Sequence, residues 1–139
     1  MIEARRTHAI DETATRAEGA WLAQRLQSGN VVLLEGKLGA GKTTFVRGLL
    51  ESLGYDHAVR SPSFGLIQTF DTNPPIAHCD LYRLKSHQGL GLEDYMTTHA
   101  LLIEWPDRAE GLVPDAEAWH VRIEFSDDGR EIQIVPPAN

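Results

Sequence analysis

One glycine-rich stretch of the chain combines the residue types that can hold a phosphate group. Residues 36–43 read GKLGAGKT and satisfy the pattern G-x-x-x-x-G-K-[ST]. Its glycines let the backbone curl so that several N–H groups point into one concavity. Lys42 can reach the β- and γ-phosphates of a nucleotide, and the hydroxyl of Thr43 can ligate Mg²⁺. The alternative is an ordinary glycine-rich turn between a strand and a helix.

The segments on both sides of this stretch favour the phosphate-binding loop. Residues 31–35, VVLLE, form a short and almost wholly apolar run, which is typical of a buried strand. From Thr43 to Leu53 the apolar residues share one helical face, and Gly54 stands where such a helix would end. The positive N-terminal end of that helix would point at the loop. Strand, loop and helix together predict a P-loop.

Two acidic residues end predicted strands and are candidates for holding a metal or orienting water. Asp80 ends IAHCD, and Glu104 ends ALLIE, which is the more apolar of the two segments. Ligands of open α/β sheets collect at the carboxyl ends of strands, and P-loop proteins use acidic residues there. Glu104 is the better candidate for a metal-directed carboxylate. The alternative for each is an exposed acid at a strand end.

The rest of the chain predicts the elements that position these residues. Residues 11–26 have the apolar spacing of a helix, with Asp11 or Thr13 as its cap. The other predicted elements are strands at 64–70, 76–80 and 100–104, a short helix at 91–96, and a hairpin of 119–125 with 132–134. We therefore expect an α/β fold that is P-loop NTPase-like, with a mixed sheet flanked by helices and a C-terminal β-hairpin.

Length and composition are those of one globular domain. The chain has 139 residues, of which 42% are apolar and 24% are charged. We expect a single P-loop ATPase domain over residues 1–139, with loosely ordered ends at 1–8 and 136–139. The only cysteine, Cys79, excludes an intrachain disulfide. Because we find no signal peptide and no long apolar run, we expect a cytoplasmic protein without membrane contact.

Charge and missing motifs exclude several function classes. The formal net charge is −7, which makes the chain a poor candidate for binding nucleic acid by itself. A GTPase would need an N-K-x-D motif, which the chain lacks, and the six histidines do not have the spacing of a zinc site. A small-molecule kinase stays open as an alternative, although a hairpin stands where its lid is expected. A nucleotide-sensing binding module is a third interpretation.

Four segments, in this order and spacing, resemble the bacterial ATPase of tRNA threonylcarbamoyladenosine biosynthesis, the TsaE (YjeE) family. They read LEGKLGAGKTTFVRGLL, SPSFGLI, HCDLYRL and LLIEWP, and the resemblance extends over residues 10–125. DLYRL and EWP are not generic P-loop signatures, so the combination is more specific than the P-loop alone. The chain departs from the family pattern with Lys37 for the usual Asp, Ser63 for Thr and Gly65 for a larger polar residue. Lys37 adds a positive charge beside the phosphate site.

The resemblance implies a subunit that binds ATP with Mg²⁺ and hydrolyses it slowly without partners. It implies a heterodimeric transferase pair, of TsaB and TsaD type, that installs the threonylcarbamoyl group on the adenosine next to the anticodon of ANN-reading tRNAs. The ATPase would support turnover of that pair, and tRNA would be held mainly by the partners. Whether the free chain forms a homo-oligomer stays open.

The resemblance also assigns roles to individual residues. Lys42, Asp80 and Glu104 would be catalytic, and Thr43, Glu104 and Asp80 would hold the metal. The residues expected to contact the nucleotide are Gly39, Ala40, Gly41, Lys42, Thr43, Thr44, Glu12, Thr15, Ser61, Ser63 and Trp105. Each of the outlying positions has an alternative: core packing for Trp105, a turn at Pro62 for the serines, and helix capping or a solvated face for Glu12 and Thr15.

Overall fold

The structure is a computed structural model that describes residues 3–57, 67–81, 91–105 and 111–138. Its strands are β1 (Arg5–Ala9), β2 (Val31–Glu35), β3 (Ile67–Phe70), β4 (Ile76–Asp80), β5 (Ala100–Glu104), β6 (Trp119–Ser126) and β7 (Gly129–Val135). Its α-helices are α1 (Glu12–Ala23) and α2 (Lys42–Ser52), and short 3₁₀ helices cover Leu92–Tyr95 and Asp115–Glu117. No helix within these described ranges is long and apolar enough to cross a membrane.

The seven strands form one mixed sheet in the order β1-β7-β6-β2-β5-β4-β3. Strand β2 is parallel to both of its neighbours, β5 and β6, and β5 is parallel to β4. The β6–β7, β1–β7 and β3–β4 pairs are antiparallel. The predicted mixed α/β fold with a C-terminal hairpin is therefore confirmed. The parallel centre matters for function, because it brings the carboxyl ends of β2, β4 and β5 to one edge.

Both α-helices pack on the same face of the sheet, and they touch backbone to backbone. A Cβ atom on Gly19 of α1 would lie 2.1 Å from the carbonyl oxygen of Phe45. A Cβ atom on Gly48 of α2 would lie 2.1 Å from the carbonyl oxygen of Arg16. Real Cβ atoms do not approach that closely, so only glycine fits at either position. This close packing fixes the start of α2, and with it the loop that precedes the helix.

The apolar residues divide between the two faces as strand alternation requires. Val32 and Leu34 of β2 join the core beneath the helices, with Leu49 and Leu50 of α2 among their fully buried neighbours. The opposite face has a smaller cluster, which includes Leu33, Cys79, Leu101, Ile103 and Leu92. Buried parallel strands of this kind read as continuous apolar runs, which is why β2 and β5 were predictable from sequence.

The N-terminal end of the chain differs from the expectation. Residues 1–8 were expected to be loosely ordered, yet Arg5–Ala9 forms strand β1 and pairs with β7 from Arg5↔Ile134 to Ala9↔Arg130. The sequence RRTHA has a single apolar residue, so it lacks the alternation that marks a strand. The strand forms because its backbone pairs with that of β7. At the other end, residues 136–138 have no regular secondary structure, and the N–H of Ala138 donates to the carbonyl oxygen of Ala116 at 2.8 Å.

Candidate functional site

The loop between β2 and α2 has a backbone that only glycine accommodates well. Gly39 has φ of 80° and Gly41 has φ of 114°, both in the left-handed region. A Cβ atom on Gly36 would lie 2.8 Å from the carbonyl oxygen of Ile123. Gly41 is the N-cap of α2, where no described side chain caps the first helical turn. The amides of that turn therefore face the loop as donors for an anion.

Lys42 lies under this loop with its ammonium group held on several sides. Its side chain is only 6% exposed, and Nζ donates to the carbonyl oxygen of Gly36 at 2.6 Å. The same Nζ lies 3.9 Å from Oε1 of Glu104 and 3.9 Å from the ring centroid of Trp105. Burial lowers the pKa of Lys42, while the charges of Glu104 and Asp80 oppose that shift. The lysine is a buried cation that negative charge stabilises.

Asp80 and Glu104 lie side by side at the carboxyl edge of the sheet. They are register partners on the parallel strands β4 and β5, and Glu104 is also paired with Leu34 near the end of β2. Strand alternation turns both carboxylates toward the face on which α2 begins. Glu104 is 2% exposed and meets Lys42 there. The structure thus brings the two strand-end acids and the loop lysine to one place.

Sequence reasoning missed a buried partner of Glu104. His78 is fully buried, and its Nε2 lies 2.6 Å from Oε2 of Glu104. In the segment IAHCD, the sequence marked only Asp80 as a candidate site residue. The signal that could have found the histidine is the two-residue spacing, which puts His78 and Asp80 on the same face of β4. The residue between them, Cys79, faces the opposite cluster; burial, with Asp80 and Glu104 nearby, raises its pKa to about 11.

Trp105 occupies a conformation that is unusual for a side-chain-bearing residue. Its φ is 61°, and in the described part of the chain it is the one non-glycine residue with positive φ. Such backbone costs of order 1–3 kcal/mol and tends to occur at functional sites. The ring covers the Lys42 ammonium and also packs against the smaller apolar cluster. Both interpretations of Trp105, a site contact and core packing, therefore have a structural counterpart.

A cavity of about 290 Å³ lies on the other side of the loop, between the start of α1 and the start of α2. Glu12 and Thr15 line it together with Gly39, Gly41 and Thr44. Asp11 caps α1 by accepting a hydrogen bond from the N–H of Ala14 at 2.8 Å. The predicted residues of the N-terminal segment and of the loop therefore share one cavity, which lies beside the glycine loop.

Arg130 is a second residue that sequence reasoning missed. It lines the same cavity, its Nε donates to the carbonyl oxygen of Ala40 at 2.8 Å, and Nη2 donates to that of Gly39 at 3.3 Å. Its guanidinium also lies 4.4 Å from the ring centroid of Phe125. Nothing near Arg130 in sequence marks it, because the contact depends on how the β6–β7 hairpin meets the loop.

Four further residues singled out in the sequence have different positions in the structure. Lys37 is exposed and lines a larger groove of about 1,020 Å³ with Gly36, Trp105 and Arg122, away from the small cavity. Ser61 and Ser63 lie outside the described residues. Thr43 is half-buried in the first turn of α2, beside Lys42.

The oxygen atoms at this site can be compared with the ligands that Mg²⁺ prefers. The described residues contain no group of three or more His, Cys, Asp or Glu side chains that could hold a metal. Mg²⁺ at nucleotide sites takes only one or two protein carboxylates, and phosphates and water complete the octahedron. The hydroxyl of Thr43 and the carboxylates of Asp80 and Glu104 are hard oxygen ligands at the loop. The residues therefore fit a metal that arrives with a phosphate, and they do not form a complete metal cage.

A buried parallel strand, a glycine loop ending in lysine and a helix whose N-terminus faces the loop define a P-loop NTPase-like domain. The chain belongs to the TsaE family, since the family model described as "Threonylcarbamoyl adenosine biosynthesis protein TsaE" matches residues 9–132.

Relatives from different bacteria support this assignment. The "tRNA threonylcarbamoyladenosine biosynthesis protein TsaE" of Haemophilus influenzae is 39% identical over 114 residues, which cover 78% of this chain and 72% of the relative. The protein of the same name from Bacillus subtilis is 35% identical over 133 residues, covering 94% and 84%. A crystal structure of Bacillus subtilis YdiB superposes with a TM-score of 0.83 at 33% identity, covering 99% of this chain and 88% of that one.

Proposed function

We propose that the chain binds ATP together with Mg²⁺ at the P-loop and hydrolyses it slowly on its own, as the ATPase subunit of tRNA threonylcarbamoyladenosine biosynthesis. Family membership supports the pathway. The observation that carries the nucleotide proposal is the position of Lys42, a buried ammonium between the glycine loop and the carboxylate of Glu104. A buried cation needs an anionic partner, and the loop amides beside it point to a phosphate.

Each part of the loop has a role in this proposal. The amides of residues 39–44 would donate to phosphate oxygens, and the helix N-terminus would add its partial positive charge. Thr43, Asp80 and Glu104 would hold Mg²⁺, which when bound neutralises charge on the phosphates. Lys42 would exchange the carbonyl oxygen of Gly36 for a phosphate oxygen. That exchange favours the charged ammonium, because a phosphate opposes the effect that burial has on the lysine's pKa.

The nucleoside would occupy the cavity beside α1. Glu12 and Thr15 offer polar atoms there, and Gly39 of the loop and Thr44 of α2 also line this cavity of about 290 Å³. Small-molecule sites are typically concave and begin near 300 Å³, so this cavity suits part of a nucleotide rather than the whole of it. The triphosphate would extend from it along the loop.

Slow hydrolysis follows from how Glu104 is engaged. Its Oε2 is bound to His78 and its Oε1 would face the metal, so Glu104 would have no oxygen left to activate the attacking water. Rapid phosphoryl transfer needs extra positive charge at the transferring group and an oriented water. We propose that the partner pair of TsaB and TsaD type completes the site, which makes turnover dependent on the assembly.

An apolar rim around the loop supports a partner that docks there. Among the described residues the large hydrophobic side chains that are most exposed are Ile10 at 68%, Leu38 at 62% and Phe125 at 52%. Leu38 lies in the loop itself, Ile10 lines the small cavity, and Phe125 lies 3.9 Å from the Cβ position of Gly39. Clustered exposed hydrophobic residues are typical of protein interaction sites. Because the chain has a net charge of −7, we propose that tRNA is held mainly by the partners. We propose that the assembly acts in the cytoplasm.

Reconstituted tRNA modification tests this proposal. The purified chain alone should turn over ATP well below about 10 per second, the enzyme median. Addition of the partner pair and substrate tRNA should raise ATP consumption, and Lys42→Ala should stop repeated modification cycles. A comparison of ATP with a non-hydrolysable analogue then separates binding from hydrolysis. The proposal fails if Lys42→Ala supports modification at the wild-type rate.

A further inference from the structure

We propose that His78 is a positioning residue that holds one oxygen of Glu104, so that only the other oxygen faces the nucleotide and its metal. The contact that carries this inference is the 2.6 Å distance from Nε2 of His78 to Oε2 of Glu104, in a side chain that is fully buried. The contact itself is a property of the chain. Its consequence for Mg²⁺ rests on the proposed function.

The two oxygens of Glu104 have different surroundings. Oε2 meets His78, while Oε1 lies 3.9 Å from Nζ of Lys42 on the loop side. The two strands hold this arrangement, because His78 is paired with Leu102 and Asp80 is paired with Glu104. Residues on alternate positions share a face, so His78 lies diagonally across from Glu104 on the face that α2 covers.

The direction of the hydrogen bond follows from the chemistry of its two groups. An ionised carboxylate only accepts, so the imidazole must carry its proton on Nε2 and donate it to Oε2. The other ring nitrogen, Nδ1, is buried and has no hydrogen-bond partner within the described ranges. If this side chain only filled space, an apolar residue would make the fold more stable, because an unpaired buried polar atom costs free energy. Among the residues that the structure describes, the polar contact of the imidazole is the one to Glu104, and this contact explains the histidine.

Removal of the hydrogen bond between His78 and Glu104 would change the interaction of Glu104 with Lys42. Without a donor on Oε2, the carboxylate could turn and pair directly with the lysine ammonium, which now lies 3.9 Å away. A close buried ion pair would compete with phosphate for the ammonium. Loss of the His78 contact would also leave the Glu104 carboxylate without a fixed orientation. This matters because Mg²⁺ demands near-ideal octahedral geometry from its ligands. His78 therefore keeps Lys42 available and presents Oε1 alone.

Two substitutions separate hydrogen-bond donation from packing. His78→Gln places an amide N–H at a similar reach and keeps a donor for Oε2, whereas His78→Leu fills the space without one. The probe is ATP binding, measured by calorimetry against the Mg²⁺ concentration, with parallel titrations in EDTA. Removing an outer-shell partner of a metal ligand typically costs about 10–100-fold in metal affinity. We expect His78→Leu to raise the Mg²⁺ midpoint by about that factor, and His78→Gln to stay within about threefold of wild type. In EDTA, His78→Gln should bind ATP as the wild type does, whereas His78→Leu should bind it more weakly, because the released carboxylate competes with phosphate for Lys42.

The proposal is overturned if folded His78→Leu keeps the wild-type Mg²⁺ midpoint, or if both variants lose affinity equally. A second readout does not need nucleotide. The buried N–H of His78, hydrogen-bonded to a carboxylate, should give a low-field proton resonance that exchanges slowly and disappears in Glu104→Ala. Its absence from the wild type would overturn the contact. If the resonance is present but ATP does not bind with or without Mg²⁺, the proposed function fails while the contact stands.

Discussion

The two ends of the loop differ in how their polar residues are supported. At the buried end, where we propose that phosphate binds, Lys42, His78 and Glu104 are 6%, 0% and 2% exposed and are bonded to one another or to the loop. At the open end, where we propose that the nucleoside binds, Glu12 is exposed and Arg130 is half-buried around the small cavity. Water can replace a lost contact at the open end, but it cannot do so at the buried end. Substitutions should therefore have large effects at the first end and small effects at the second.

The largest expected effect is the loss of nucleotide binding in Lys42→Ala. A hydrogen bond to a charged group contributes about 1.5–3 kcal/mol, so ATP affinity should fall roughly 10–100-fold or more. The matched control is Lys37→Ala, a lysine of the same loop that is exposed and lines the larger groove. Its affinity for ATP should stay within about threefold of wild type in the same calorimetric titration. Equal losses in both variants would contradict the difference between buried and exposed charge.

Two strand-end acids provide the next comparison, in stability. Glu104 ends β5 and is buried beside Lys42, whereas Glu35 ends β2, is exposed, and lies 3.5 Å from Nη2 of Arg122. Glu104→Ala leaves Lys42 and His78 without their carboxylate, so the free energy of unfolding should fall by about 3–5 kcal/mol. Glu35→Ala should cost no more than about 1 kcal/mol, as surface ion pairs do. Urea unfolding of both variants measures this, and a smaller loss for Glu104→Ala than for Glu35→Ala would refute it.

Arg130 lines the small cavity at the open end and also bonds to the loop, so its substitution should have an intermediate effect. Arg130→Ala removes the donors to the carbonyl oxygens of Gly39 and Ala40, so the loop loses two hydrogen bonds that hold its shape. Each such bond contributes about 1 kcal/mol, and partial replacement by water should leave ATP binding about three- to tenfold weaker. Arg122→Ala removes a comparable arginine from the neighbouring strand β6 and should leave the affinity unchanged. A loss as large as that of Lys42→Ala would show that the open end is less tolerant than proposed.

The smallest expected effect is a pH dependence at the exposed edge. Nδ1 of His8 lies 2.6 Å from Glu131 and Nε2 lies 2.8 Å from Asp128, contacts that raise the pKa of His8 with the Glu131 hydrogen bond as the largest cause. A raised pKa stabilises the fold fully below the unfolded-state pKa, and this stabilisation is lost as pH rises through the folded-state pKa. The melting-temperature gap between wild type and His8→Gln should therefore be wider at pH 6 than at pH 9. An equal gap at both values would refute the interaction.

Sequence reasoning succeeded where a local pattern sets the structure and failed where distant segments meet. The loop glycines, the apolar runs of β2 and β5, and the acids at strand ends can be read within a few residues each. Strand β1 could not be predicted, because RRTHA is held by pairing with β7 rather than by its own apolar pattern. Arg130 reaches the loop from the far hairpin, and the role of His78 depends on the register between β4 and β5. Local spacing places His78 on the same strand face as Asp80, but the side chains that His78 and Arg130 contact are set by topology.

The central claim is that Lys42 exchanges a loop carbonyl for a phosphate while the strand-end acids face the same ligand. A crystal structure grown with Mg²⁺ and a non-hydrolysable ATP analogue tests it most directly. We predict that Nζ of Lys42 leaves the carbonyl oxygen of Gly36 and contacts the phosphates, that Asp80 and Oε1 of Glu104 face the metal, and that Oε2 stays on His78. Lys42 still bound to Gly36, with the analogue absent from the loop at saturating concentration, would contradict the account.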